Sequence, residues 1–266
     1  MRVIVTRPAQ ECGKWVDALA QAGFDAQALP LIAVKPAPDA QAVATAWLRV
    51  DSYDAIMFVS GNAVTQFFAL KQAIAPVFTA QAAIKTRAFV TGPGSLAALR
   101  QAGVDAACID APDSQAGQFD SEALWAVVAH RVVPGYRVLI VRGMGDASMA
   151  PDVGDGVGRN WFASQVIAAG GQVEFVVAYQ RCQVDWNEAA RAFVHQAAHD
   201  GSVWLFSSSE AIANLVAAFP GERWQQARAV ATHGRIAQAA RAAGFAVVCE
   251  SRPLLADLVA SIESLQ

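Results

Sequence analysis

Two stretches of this chain share one pattern: VTRPAQECGKWVDALAQAGFDAQALPL at residues 5–31 and IVRGMGDASMAPDVGDGVGRNWFASQVIAAGGQVEFVVAY at residues 140–179. Each contains an apolar strand, a loop, and a helix that carries a tryptophan and is followed by glycine. The distance from strand to tryptophan is greater in the second stretch, so its loop is the longer one. The chain therefore contains two copies of one strand–loop–helix unit.

Two further units are also repeated, and in the same order. AIMFVSGNAVTQFFAL (55–70) matches SVWLFSSSEAIANLVAAF (202–219), and AFVTGPGSLAALRQAGVDA (88–106) matches AVATHGRIAQAARAAGFAV (229–247). Short alanine-rich helices can align by chance, but three ordered pairs indicate an internal duplication.

The repeated unit predicts an α/β fold. An apolar strand, a turn with Gly or Ser and an amphipathic helix alternate as in a parallel sheet covered by helices on both faces. Gly23, Gly103, Gly170 and Gly244 follow helices and are predicted left-handed C-caps. We therefore expect two similar parallel-sheet βαβ domains joined by a two-stranded linker, with a cleft between them. Ligands of such sheets bind beyond the carboxyl ends of the strands.

Composition excludes several classes of function. The chain has 266 residues, 55% of them hydrophobic, and a net charge of −3 without a polybasic run, which argues against nucleic-acid binding. No apolar run approaches the ~18–20 residues of a membrane span, and the start lacks the features of a signal peptide, so we expect a cytoplasmic protein without membrane contact. The four cysteines and four histidines are scattered without metal-ligand spacing, and the cysteines are expected to be buried free thiols.

Polar residues follow several predicted strands. Ser60 and Ser208 are expected to cap helix N-termini, and Gly92 and Ser95 stand at the start of another helix. Free backbone N–H groups and the helix dipole make such turns receptors for anions. Any one of them alone is more simply a helix cap; several at one cleft favour a binding site.

Two further residues are candidates for function. Arg142 opens the long loop at residues 143–158, which is either a functional loop or a surface insertion, and an arginine there could bind a carboxylate. Tyr179 ends an apolar strand where the linker begins, and its hydroxyl could donate a hydrogen bond or a proton. Tyr53 and Tyr136 directly precede strands, and we expect both to be exposed.

The series VTRP, FVSGNAV, FVTGPGSLAALRQAG, LFSSSEAI and RIAQAARAAG resembles the uroporphyrinogen-III synthase family over essentially the whole chain. The resemblance implies one domain made of both chain ends, residues 1–36 and 182–266, and a central domain, residues 39–177. Residues 37–38 and 178–181 would be the linkers. The leading unit is the strand–loop–helix stretch that opens each repeat copy. Its first copy (residues 5–31) would then pack with the second copies of the other two units (residues 202–219 and 229–247).

The resemblance also implies the reaction. The family closes hydroxymethylbilane, a linear tetrapyrrole with many carboxylates, to uroporphyrinogen III with inversion of ring D and loss of water, without cofactor or metal. We expect a monomer. The one suggested protein partner is the preceding enzyme of the pathway, which would make transient contact with the chain. Two alternatives stay open: a two-domain protein that binds a small anion without chemistry, and an inactive regulatory member of the family.

Site residues follow from the resemblance position by position. The family's tyrosine matches Tyr179, which is expected to assist departure of the hydroxyl group. Ser95 stands where many members have threonine, and Ile236 stands where some members have a hydroxyl, which puts that contact in doubt. The expected substrate-binding residues are Ser60, Asn62, Gly92, Ser95, Arg142, Ser207, Ser208 and Thr232.

Overall fold

The computed structural model describes residues 1–71, 86–113, 117–145 and 156–265. Its strands are β1 Arg2–Val5, β2 Asp25–Ala28, β3 Ala33–Pro36, β4 Ala55–Phe58, β5 Arg87–Val90, β6 Ile109–Asp110, β7 Arg137–Met144, β8 Gln172–Cys182, β9 Val203–Phe206, β10 Arg228–Ala231 and β11 Val247–Glu250. Its α-helices are α1 Ala9–Gln21, α2 Ala40–Leu48, α3 Gly61–Ala69, α4 Pro93–Gln101, α5 Ser121–Val128, α6 Gly156–Ala168, α7 Glu188–His199, α8 Ser209–Ala218, α9 Gly234–Ala242 and α10 Leu255–Glu263.

Local sequence explains where the helices begin and end. Ser60 and Asp120 each accept a hydrogen bond from the backbone N–H three residues ahead, which satisfies a donor that the first helical turn leaves free. Beyond the helix ends, Gly23 and Gly244 have φ of 90° and 100°, and Gly103 and Gly170 are also left-handed, which confirms the predicted C-caps.

The first of two compact units contains residues Met1–Ala33 and Cys182–Gln266. Its five strands form one sheet in the order β11-β10-β9-β1-β2, and every neighbouring pair is parallel. Alternate residues of the central strand β9 enter different cores: Trp204 and Phe206 pack with α7, α8 and α9, while Val203 and Leu205 pack with α1 and α10. The sheet is thus apolar on both faces, as its unbroken apolar strands predict.

The second unit contains residues Val34–Arg181. Its sheet has the order β3-β8-β7-β4-β5-β6. On one face Ile56 and Phe58 of β4 pack with α2, α3 and α4; on the other, Ala55 and Met57 pack with α5 and α6. This two-sided packing is why β4 has no exposed residue.

The two sheets repeat one strand order. The series β2-β1-β9-β10-β11 of the first unit corresponds to β8-β7-β4-β5-β6 of the second. Because β1 pairs with β9 and β7 pairs with β4, each sheet combines the leading unit of one repeat copy with the other two units of the other copy. The α/β fold class with parallel sheets is confirmed. The domain boundaries at residues 36, 39, 177 and 182 stay a prediction.

Burial of some residues differs from expectation. Tyr53 is only 3% exposed, so its predicted exposure is wrong: the hydroxyl donates to Glu174 Oε2 at 2.9 Å, which makes burial tolerable. All four cysteines are free thiols, but only Cys12 and Cys182 are buried. Among the described residues, no helix is both long and apolar enough to span a bilayer. Most of the predicted loop at residues 143–158 lies outside the described residues.

Candidate active site

A β-bulge sets the direction of the Tyr179 side chain. Strands β7 and β8 pair in regular register up to Arg142 and Val177, and the register then shifts so that Gly143 lies opposite Tyr179. One extra residue of β8 is accommodated there, and Ala178 and Tyr179 both join the core that contains Phe58. Without the shift, alternation would turn Tyr179 to the other face of the sheet.

Gly143 makes room for the tyrosine ring. A Cβ atom at this position would lie less than 3.0 Å from three ring carbons of Tyr179, closer than side chains approach one another. The ring therefore lies directly on the backbone of β7, and Tyr179 is only 3% exposed. A glycine inside a strand commonly marks a bulge or a close approach of this kind.

The Tyr179 hydroxyl meets the start of a helix. Its oxygen is 3.1 Å from Oγ of Ser60, and either atom can be the donor. Ser60 Oγ also accepts the N–H of Ala63 at 3.1 Å, which makes Ser60 the N-cap of α3. The pair therefore lies at the positive end of the helix dipole, where negative charge is stabilised.

A second helix start adjoins the first. A Cβ at Gly61 would be 3.5 Å from the carbonyl oxygen of Gly94, so the first turns of α3 and α4 are only about one methyl group apart. Gly92 is the N-cap of α4, and Ser95 in its first turn is 6% exposed. Asn62 lies in the first turn of α3. The structure thus brings Ser60, Asn62, Gly92 and Ser95 to one edge of the sheet, at the carboxyl ends of β4 and β5.

Arg142 does not join this group. It precedes Gly143 in β7 and points to the opposite face of the sheet, since successive strand residues alternate. Its guanidinium carbon lies 4.8 Å from the ring centre of Phe175, and its Nε is buried without a hydrogen-bond partner among the described residues. A role for Arg142 in substrate binding stays a prediction, and this orientation does not support contact with the same group as Tyr179.

The first unit has the corresponding helix starts. Ser208 caps α8, with Oγ accepting the N–H of Glu210 at 3.2 Å, and Ser207 directly precedes it after β9. Thr232 follows β10, and its N–H donates to the carbonyl of Phe206 at 3.1 Å. These three residues thus lie together at the carboxyl ends of neighbouring strands. Ile236, where the family pattern expects a hydroxyl in some members, is 8% exposed and packs in the apolar core.

Sequence reasoning missed the contribution of two residues. Gly143 is predicted only to begin a loop, although an isolated glycine in a strand is a usable signal. Thr6, at the end of β1, is 2% exposed and donates from Oγ1 to the carbonyl of Leu205 at 2.7 Å, joining the ends of β1 and β9. Nothing in the sequence around Thr6 identifies this bond, because its partner is almost 200 residues away.

The fold and the site define a class: duplicated parallel α/β proteins in which hydroxyl-bearing helix starts gather at the carboxyl ends of the strands. The family model for uroporphyrinogen-III synthase HemD matches residues 13–260, and the chain belongs to this family. Its members are cyclising lyases of haem biosynthesis, and the family implies hydroxymethylbilane as substrate. The family expected from the sequence motifs is confirmed.

Two solved structures share the fold. Uroporphyrinogen-III synthetase from Helicobacter pylori is 12% identical, with a TM-score of 0.58 and coverage of 100% of both chains. A mutant uroporphyrinogen III synthase from Thermus thermophilus is 14% identical, with a TM-score of 0.55 and coverage of 100% of this chain and 98% of the other. At such low identity, these similarities concern the fold rather than particular site residues.

Proposed function

We propose that this chain converts hydroxymethylbilane to uroporphyrinogen III and that Tyr179 donates the proton that lets the ring A hydroxyl leave as water. Departure of water leaves a cation at ring A, which gives its pyrrole N–H proton back to the Tyr179 phenolate and becomes an azafulvene. Ring D then attacks the azafulvene carbon through its own substituted carbon, and the spiro intermediate rearranges to the inverted macrocycle. Family membership supports the overall reaction; the assignment of Tyr179 is supported by its surroundings.

The observation that carries this assignment is the contact between Tyr179 and Ser60. Ser60 Oγ already accepts an N–H from α3, so its own O–H is available to the phenol oxygen 3.1 Å away. In that arrangement the phenol O–H is available to a substrate oxygen. When the proton leaves, the negative charge on the phenol oxygen is held by Ser60 and by the positive end of α3.

Helix starts suit the carboxylates of the substrate. Asn62, Gly92 and Ser95 in one unit, and Ser207, Ser208 and Thr232 in the other, lie where free backbone N–H groups bind anions. Uncharged donors of this kind can bind a polycarboxylate in a site that is not lined by lysine and arginine. This is consistent with the chain's net charge of −3. Arg142 would add a bidentate contact only if the substrate also reaches the opposite face of the sheet.

Much of the rate is expected to come from positioning. The bilane must be held so that ring D attacks through its substituted carbon, and well-oriented intramolecular reactions gain about 7–11 kcal/mol from such placement. Closure without inversion, to the type I isomer, is the competing reaction. The ratio of the isomers therefore measures how well the substrate is held.

The reaction is tested with hydroxymethylbilane generated enzymatically in the assay. Oxidised products should be mostly the type III isomer; only type I, as in the absence of protein, would overturn the proposed reaction. That result would instead favour the anion-binding or inactive alternatives.

The role of Tyr179 is tested by Tyr179→Phe. The loss of a proton donor is expected to slow formation of the type III isomer by about 10²–10⁴-fold. The matched control is Tyr53→Phe, which removes the hydroxyl of another buried tyrosine of the same unit, bonded to Glu174 rather than to Ser60. A normal rate in folded Tyr179→Phe protein would remove Tyr179 from the mechanism while leaving the reaction in place.

We further propose that the chain acts as a cytoplasmic monomer without a metal or cofactor and meets the preceding enzyme of the pathway only transiently. The reaction needs no redox change, and the cysteines and histidines lack metal-ligand spacing, which supports the part of this proposal that concerns metal and cofactor. Light scattering after size exclusion, alone and with the preceding enzyme, tests it; a stable complex or dimer would contradict it.

A further inference from the structure

A cavity of about 350 Å³ lies in the second unit, at the amino-terminal ends of its strands. Tyr136 directly precedes β7, and the end of this strand carries Gly143, so the cavity is at the opposite end of the sheet from the Tyr179 hydroxyl. Its volume falls at the lower end of the range of small-molecule sites, roughly 300–1,000 Å³. The lining residues are Asp54, Arg87, His130, Arg131 and Tyr136.

Three of the lining side chains have hydrogen-bond donors that no described residue accepts. Nη2 of Arg131 lies 3.3 Å from Oδ1 of Asp110, but its Nε is buried and has no partner in the described part of the chain. The His130 ring and the Tyr136 hydroxyl make no hydrogen bond to any described side chain or backbone group. Burial, with smaller contributions from nearby Asp54 and Asp110, raises the pKa of Tyr136 to about 12, so its hydroxyl keeps its proton at neutral pH.

The charge of the cavity defines its ligand more closely. Arg87 binds both carboxylate oxygens of Asp110, which is 7% exposed and is not one of the lining residues. Of the lining residues, Arg87 and Arg131 are cationic and Asp54 is anionic. Asp54 accepts the backbone N–H of Arg137 at 2.8 Å. The two arginines and one aspartate of the lining sum to a formal charge of +1, and Asp110, which pairs with both arginines, offsets this excess, so a singly charged anion is matched better than a doubly charged one.

We propose that this cavity binds a small molecule through a carboxylate group, with Arg131, His130 and Tyr136 as donors. A carboxylate offers about four acceptor sites, enough for all three donors at once. The Arg131 side chain is 35% exposed, so its guanidinium can donate to the carboxylate through an Nη group, whereas its Nε is buried and not accessible to a ligand. The site is separate from the residues assigned to ring closure, and the proposal does not depend on them.

Nuclear magnetic resonance of the histidine rings tests the proposal directly. The chain has only four histidines, and His130→Gln assigns the resonance of the one that lines the cavity. Acetate is titrated into the full-length protein without substrate, at constant ionic strength set with chloride. We expect a saturable shift of His130 while His195, His199 and His233 stay unchanged.

Two variants and a second anion complete the experiment. Arg131→Gln should weaken acetate binding at least tenfold, and Arg100→Gln, which removes an exposed arginine from α4 of the same unit, should leave it unchanged. Phosphate, a dianion above neutral pH, should bind less tightly than acetate. Absence of a saturable His130 shift, or equal binding by Arg131→Gln, would overturn the site; tighter phosphate binding would overturn the carboxylate assignment.

Discussion

Replacement of Gly143 by alanine tests whether the bulge of β7 and β8 positions Tyr179. The added Cβ would lie less than 3.0 Å from three ring carbons, whereas carbon atoms pack at about 3.5–4.0 Å. The ring must therefore move by roughly 1 Å. The hydrogen bond to Ser60, now 3.1 Å long, would then exceed the normal limit.

A displacement of this size has a predictable cost. Misplacement by 1 Å can reduce an enzymatic rate by about 10²-fold, which corresponds to roughly 2.7 kcal/mol of activation free energy. Overpacking should also lower the free energy of unfolding by about 1–3 kcal/mol. We therefore expect Gly143→Ala to fold, with kcat for the type III isomer reduced about 100-fold and KM little changed, because the helix starts that hold the carboxylates are not altered.

The assay is the initial rate of type III formation, with circular dichroism as a check of folding. Gly13→Ala is the matched control: Gly13 lies inside α1, a Cβ added there would meet nothing within 4 Å, and alanine should stabilise the helix by about 0.5–1 kcal/mol. If Gly143 acts through the tyrosine hydroxyl, adding Gly143→Ala to Tyr179→Phe should cost no further activity. A folded Gly143→Ala protein with the normal rate, or the same 100-fold loss in both backgrounds, would refute the reasoning.

Two further predictions concern stability. Burial raises the pKa of Glu222, but hydrogen bonds from a backbone N–H and from the rings of His195 and His199 outweigh it, so the pKa lies below its ordinary value. The contribution of this carboxylate to the free energy of unfolding is therefore complete above the unfolded-state pKa and is lost as pH falls through the lower folded-state pKa. Glu222→Gln should lower the free energy of unfolding by about 1–2 kcal/mol at pH 7. It should also flatten the fall in stability below pH 4.5, as urea unfolding measured across pH would show. Asp120→Ala removes the cap that accepts the N–H of Ala123 at 2.9 Å, and it should lower the free energy of unfolding by about 1 kcal/mol in the same measurement. Asp120→Asn keeps a capping side chain and should change it little. Equal losses of stability in the two variants would rule out the cap as the cause.

The fold was largely predictable because its determinants are local and repeated. Apolar strands covered on both faces, serine caps and glycines after helices each depend on a few neighbouring residues, and the duplication then relates the two halves. The error at Tyr53 has the opposite origin. Its burial depends on Glu174, which is distant in sequence and reaches the hydroxyl only through the pairing of β7 with β8.

The candidate site was predictable in part for the same reason. Ser60 and Ser208 were correctly expected as helix caps, because capping is decided within one turn. The face on which Tyr179 lies was not predictable, since the bulge depends on the register between two strands. The orientation of Arg142 was not predictable either, because it depends on the continuation of β7 to Met144, where the sequence predicts a loop.

The two copies of the leading unit differ at the point where this site forms. In the first copy, β1 ends at Val5, and Pro8 stands where the second copy has Gly143. Proline cannot donate to a sheet ladder, so the strand cannot continue through that position as a regular ladder member. In the second copy, β7 continues to Met144 and β8 to Cys182, which creates both the bulge and the space for the Tyr179 ring. Duplication thus supplies two equivalent sets of helix starts, while a local strand extension in one copy supplies the single hydroxyl for which we propose a chemical role.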